Sequence, residues 1–178
     1  MNECENEENC LCWKCDNRSC NRYTCQLCEE KEGTLKVRGK TKDLKKFVLE
    51  GLQPVGIFGE SKSPLEIDKY DNCMSSETCH IENTRRGFVE GLNIYFEEDE
   101  EKIDVIALET KFAWGISASD LQETCKKYNV DMKIYGFERG MEFNQDIEIV
   151  DGEIVKDKEI DFKGKDYRWE CIMPNMGG

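Results

Sequence analysis

Read along the chain, hydrophobic and polar positions change period several times. Thr34 to Arg38 alternates polar and apolar residues and predicts a β-strand. Gly39-Lys40 reads as a turn, and Thr41 is placed to cap a helix with Asp43 in its first turn. Leu44, Phe47, Val48, Gly51 and Leu52 then share one face at helical spacing, and Pro54 stops the helix. The stretch from 54 to 86 shows no clear period and reads as a long irregular loop. Leu92 to Phe96 alternates again, Glu97 to Glu101 forms an acidic turn, and Ile103 to Phe112 returns as the second strand of a hairpin. Ser117 to Tyr128 has a helical stripe of Ile116, Leu121, Cys125 and Tyr128. Ser119 with Gln122 suggests a capping box, and Asn129 a C-terminal cap. Asp131 to Phe137 predicts a strand, and Phe143, Ile147 and Ile149 mark another. Asp151-Gly152 predicts a tight hairpin into Glu153 to Phe162. The tail carries Tyr167, Trp169 and Cys171.

In order, these elements predict an α+β protein of ferredoxin-like type. The expectation is a βαββαβ unit, with an antiparallel sheet and two helices on one face, followed by a C-terminal hairpin extension. The predicted division is a Cys-rich knuckle at 1–33 and a ferredoxin-like domain at 34–178. That domain holds the long loop (54–90) and the C-terminal β extension.

Several segments also resemble the YubB-like ferredoxin-like family of phage and plasmid proteins. They are Phe112-Ala113-Trp114 before a short capped helix, Met132 to Tyr135, and Glu138-Arg139-Gly140-Met141-Glu142-Phe143. The first strand and helix, Leu35 to Gly39 and Asp43 to Phe47, resemble that family as well. The segment Ile81 to Gly87 departs from the family pattern by lacking its tryptophans. The resemblance implies a mobile-element origin and a soluble accessory role; it implies no reaction.

Composition sharpens the picture at the N-terminus. Residues 1–33 hold only Leu11, Trp13, Tyr23 and Leu27 as sizeable apolar groups. So little apolar surface does not offset an ordering cost of roughly 1–2 kcal/mol per residue. The same segment is rich in cysteine. Cys12/Cys15 and Cys25/Cys28 form two Cys-x-x-Cys pairs, a spacing that presents four thiolates to one tetrahedral Zn²⁺. Such a site is expected to be structural and to supply on the order of 10 kcal/mol of folding free energy. An iron–sulfur cluster and a redox dithiol pair are the alternatives. Cys4, Cys10 and Cys20 could build a second site with Cys73, Cys79 and His80 from the long loop; free thiols are the other reading. Cys125, on an apolar helix stripe, is expected to be a small core residue.

The formal net charge is −13. This field disfavours bare nucleic acid and suits a protein partner with a basic surface. Glu97, Glu98, Asp99, Glu100 and Glu101, with Asp104 on the following strand, are the candidate partner-binding acids, able to imitate a phosphate track. Trp13, Arg18, Arg22 and Tyr23 are candidates for the alternative, a zinc-dependent nucleic-acid-binding accessory protein. The N-terminal residues show no secretory pattern and no stretch approaches the ~18 apolar residues of a membrane span, so a cytoplasmic location is expected. No matched acid–base set marks catalysis. The sequence therefore points to a non-enzymatic, acidic interaction protein of a phage or mobile element. Its expected job is to bind and inhibit a host or defence protein, in the manner of an anti-CRISPR or a nucleic-acid mimic.

Overall fold

The computed structural model describes residues 30–56, 62–113 and 115–177. Within them the chain forms β1 (Glu30–Lys40), α1 (Thr41–Lys46) continuing as a π-helical turn (Phe47–Gly51), β2 (Leu52–Val55), β3 (Asn72–Ile81), β4 (Gly87–Tyr95) and β5 (Ile103–Ala113). It continues through α2 (Ala118–Tyr128), β6 (Asp131–Glu138), β7 (Phe143–Val150), β8 (Glu153–Asp161) and α3 (Tyr167–Glu170). The strands join into one eight-stranded sheet in the order β2-β3-β4-β5-β1-β6-β7-β8, with every pairing antiparallel.

This overturns the expected ferredoxin-like βαββαβ unit with two helices on one face. The described residues form mostly one large sheet with three helices, and α1 has only six α-helical residues. Two readings caused the error. First, part of the predicted irregular loop is strand: β3 pairs with both β2 and β4. Its buried positions Cys73, Cys79 and Ile81 keep one parity, but Ser75 and Glu77 between them are polar and lie at a bulge, so the alternation does not stand out in the sequence. Second, the terminal hairpin does not stand apart. β7 pairs with β6 along Met132–Glu138, so β7 and β8 widen the same sheet.

Alternation divides the sheet into two faces. Leu35, Val37, Ile106, Leu108, Met132, Ile134, Ile147 and Ile149 point to the side covered by α1, its π turn and α2. There they meet Leu44, Phe47, Leu121 and Tyr128, all 0–1% exposed. Gly51 lets the π turn close on this layer: a Cβ there would lie 2.9 Å from the Tyr128 ring and 3.0 Å from the Phe47 ring. The two rings meet edge to face at 5.8 Å between centroids.

The caps differ in part from expectation. Ser117, not Ser119, is the N-cap of α2, its Oγ accepting from the Asp120 N–H at 3.3 Å. Gln122 reaches instead to the Gly152 carbonyl at 2.8 Å. Thr41 does not cap α1; its hydroxyl donates to the Lys102 carbonyl. Asn129 ends α2 in the left-handed conformation, φ 55°. Asp151 and Gly152 turn the last hairpin with φ 52° and 72°.

Candidate functional site

Among the described residues, the second face of the sheet is covered by no helix other than the four-residue α3. Its central strands carry a ladder of charge: Arg38 to Asp131 at 2.6 Å, Lys133 to Glu148 at 3.2 Å and Lys156 to Asp146 at 2.7 Å. At one end the chain supplies its own cover. After β8, residues 162–177 form a strap that folds back over β6 and β7. Phe162, Tyr167 and Cys171 pack on Phe137 and Ile160 as a separate small core. Tyr167 and Cys171, one α3 turn apart, face inward. The Tyr167 hydroxyl donates to Asn144 Oδ1 at 3.2 Å, and Asn144 Nδ2 donates to Cys171 Sγ at 3.5 Å. Burial, then the contact with Cys171, pushes the Tyr167 phenol up. The end of the strap is tied across the sheet by the Gly177 N–H, which donates to Glu32 Oε2 at 3.1 Å.

The outer side of this strap carries three large apolar residues among charged ones. Trp169, Ile172 and Met173 are 84%, 88% and 51% exposed. Folding the strap does not use them, since Phe162, Tyr167 and Cys171 already hold it down. Exposed Trp, Ile and Met within five residues, on a rigid base, have the composition of a protein-docking hot spot. In the sequence Trp169 stood out only as one aromatic residue of the tail; which of the tail's apolar residues face outward depends on how it packs.

The acidic turn is neutralised only in part, at Glu97 and Glu101. Glu101 binds Lys40 at 2.7 Å and also Lys42, and Glu97 binds Lys102 at 2.7 Å. Asp99 accepts from the Glu101 N–H. The hydrogen bonds from Lys40 and Lys42 lower the Glu101 carboxyl to about 2. The Lys42 N–H donates to the Glu100 carbonyl, which ties the turn to the start of α1. Glu98 and Glu100 form no ion pair among the described residues. Asp104 faces the helix side, its carboxylate accepting from the next N–H, that of Val105.

A different set of carboxylates is left unpaired, on β8. Asp157 and Glu159 lie opposite Ile147 and Gln145, on the helix side of this edge strand, with Asp161 next in the row. Neither Asp157 nor Glu159 has an ion-pair partner among the described residues. Lys156 and Lys158, opposite Glu148 and Asp146, lie on the strap side.

The structure separates the thiols and the histidine suggested for a second metal site. Cys73 and Cys79 point into the helix-side core, both 0% exposed. Burial, then the nearby Cys73, pushes the Cys79 thiol up to about 11. His80 points to the opposite face, its Nε2 2.8 Å from the Thr84 carbonyl and its ring edge-on to Phe88. Cys125 is a core residue, its thiol pushed up to about 12 by burial. Among the described residues no group of three or more His, Cys, Asp and Glu is arranged to hold a metal ion. Cys4, Cys10, Cys12, Cys15, Cys20, Cys25 and Cys28 lie outside the described residues, as do Trp13, Arg18, Arg22, Tyr23 and Trp114.

Two clefts lie among the described residues. One, of about 570 Å³, lies at the C-terminal end of α2 between Arg38, Lys40, Lys126, Asp131 and Asp151. Its cations are held by Asp131, Glu101 and Glu153 respectively, which leaves little charge for an anion. The other, of about 220 Å³, lies beside Met176 of the strap among Glu32, Glu90, Glu109 and Lys111. Lys111 bridges Glu90 at 3.1 Å and Glu32 at 3.8 Å. No described helix is long and apolar enough to cross a membrane. No protein-family model matches the chain, and no match is found among curated proteins or among solved structures.

Proposed function

We propose that this chain is a non-enzymatic interaction protein that docks on a partner protein through its strap and the neighbouring edge strand β8. The observation that carries the reading is the outward trio Trp169, Ile172 and Met173, seated on the buried Phe162–Tyr167–Cys171 cluster. A rigid aromatic anchor loses little entropy on binding, and burying it removes a large apolar area from water. The net charge of −13 selects a partner with a basic surface and speeds the encounter. The biological setting we propose follows the resemblance: a phage or mobile-element protein in the host cytoplasm that occludes a host or defence protein. The leader is part of the proposal, with Cys12, Cys15, Cys25 and Cys28 holding one structural Zn²⁺. Native mass spectrometry with and without chelator counts that ion.

The test is capture of host proteins on the immobilised full chain, in parallel with Trp169→Ala. A partner retained by the parent chain, lost from the variant, and released as salt rises from low to physiological strength supports the reading. Equal capture by both chains, or capture indifferent to salt, overturns it.

A further inference from the structure

The two edges of the sheet are built differently. At one end β2 has only four residues and includes Pro54, which has no N–H to offer. The chain also returns onto it, the Lys62 N–H donating to the Pro54 carbonyl at 3.3 Å. That edge is closed. At the other end β8 runs nine residues, and Glu153 to Glu159 are all exposed. β8 pairs with β7 on its inner side, and no described strand pairs with its outer side. A row of backbone donors and acceptors is therefore presented to solvent.

The side chains on this edge are sorted by sign. Asp157, Glu159 and Asp161 share the helix side; Lys156 and Lys158 share the strap side. The sorting decides what can add to the edge. Two copies adding edge to edge in antiparallel fashion, about a two-fold axis normal to the sheet, keep their faces aligned. Residues that share a face then sit opposite one another, so acids meet acids and lysines meet lysines. The edge opposes antiparallel addition of its own copy. A heterologous strand with bases on one face and acids on the other meets opposite charge at Asp157, Glu159 and Lys158, and at Lys156, which it shares with Asp146, and its backbone continues the ladder.

We propose that β8 is the docking edge for an extended segment of a partner protein whose side chains alternate basic and acidic. The bases lie against Asp157, Glu159 and Asp161, the acids against Lys156 and Lys158. The acids on β8 recur every second residue, roughly 6.5–7 Å apart, which matches alternate residues of an added strand. This deepens the interaction-protein reading above and rests on it: the strap supplies the anchor and the edge supplies register and specificity.

The experiment titrates a short end-capped peptide alternating lysine with glutamate into the isotope-labelled full chain, followed by amide NMR. The control is a block isomer of the same composition, lysines first and glutamates after. The expected result is amide shifts centred on Lys156 to Ile160 with the alternating peptide, and binding about tenfold weaker for the block isomer. The double variant Asp157→Lys/Glu159→Lys, at exposed positions, should weaken the alternating peptide by a similar factor. Equal binding of the two isomers, or no shift on β8, overturns the inference. Absence of peptide binding with Trp169-dependent capture intact removes the edge and leaves the strap. Peptide binding at β8 without any Trp169-dependent capture supports the edge and removes the reading of the strap.

Discussion

The two faces of one sheet are stabilised by different physics. On the helix side, a continuous apolar layer joins strands far apart in sequence, and its largest members are fully buried. Its polar boundary is closed by Glu82, which accepts from the Tyr128 hydroxyl at 2.5 Å and from Lys127 at 2.6 Å. Burial works against the Glu82 charge, yet the bonds from Lys127 and Tyr128 still hold its carboxyl below the usual range. On the strap side, exposed ion pairs occupy the centre and a satellite of Phe162, Tyr167 and Cys171 holds one end. Burial per residue is what makes the first face stable. The second face buries less and leaves charge and large apolar groups at the surface.

The largest expected effect tests the first half of that contrast. Leu121→Ala should lower unfolding free energy by about 2–5 kcal/mol in a denaturant titration, because it opens a cavity in a layer that cannot collapse. A loss under about 1 kcal/mol would mean that the helix side is not the main store of stability.

Phe162→Ala should act locally. Global stability is expected to fall by only about 1–2 kcal/mol, while hydrogen-exchange protection at the Cys171 and Gly177 amides collapses and that of α2 persists. Uniform loss of protection would show that the two faces unfold as one unit. Tyr128→Phe removes the hydroxyl that Glu82 uses and should cost about 1–2 kcal/mol. Arg38→Ala, which breaks a half-exposed ion pair, should cost under about 1 kcal/mol and less still at high salt.

The smallest effect concerns pH. The Glu101 carboxyl is lowered from 4.5 to about 2 by Lys40 and Lys42. A folded value below the unfolded one means the stabilisation is fully present above about pH 4.5 and is lost as pH falls toward 2. A carboxyl NMR titration of Glu101 with a midpoint near 4.5 would show that the turn is not pinned to α1.

Legibility followed period and turn chemistry. The hairpin at Asp151-Gly152, the αL end of α2 at Asn129 and the core placement of Cys125 could all be read from local pattern, because each is decided within a few residues. The strand β3 could not, since the polar Ser75 and Glu77 interrupt its apolar parity and its buried positions are two cysteines and one isoleucine. The acidic turn was conspicuous as a run of charge, but charge in sequence carries no information about partners. Lys40 and Lys42 come from the end of β1 and the start of α1. The β8 row was overlooked for the opposite reason: Lys156 to Glu159 reads as mixed charge until the strand sorts it by side.

The amino-acid sequence by itself determined the regularly patterned local elements, the acidity and the thiol spacing of the leader, because propensity, charge and ligand spacing act over short distances along the chain. The tertiary structure alone decided how many strands join one sheet, which edge stays open, which acids keep their charge uncompensated and which way Trp169 faces. Those properties depend on pairings between residues tens of positions apart, and an alternating segment can pair with many others until a whole sheet selects its neighbours.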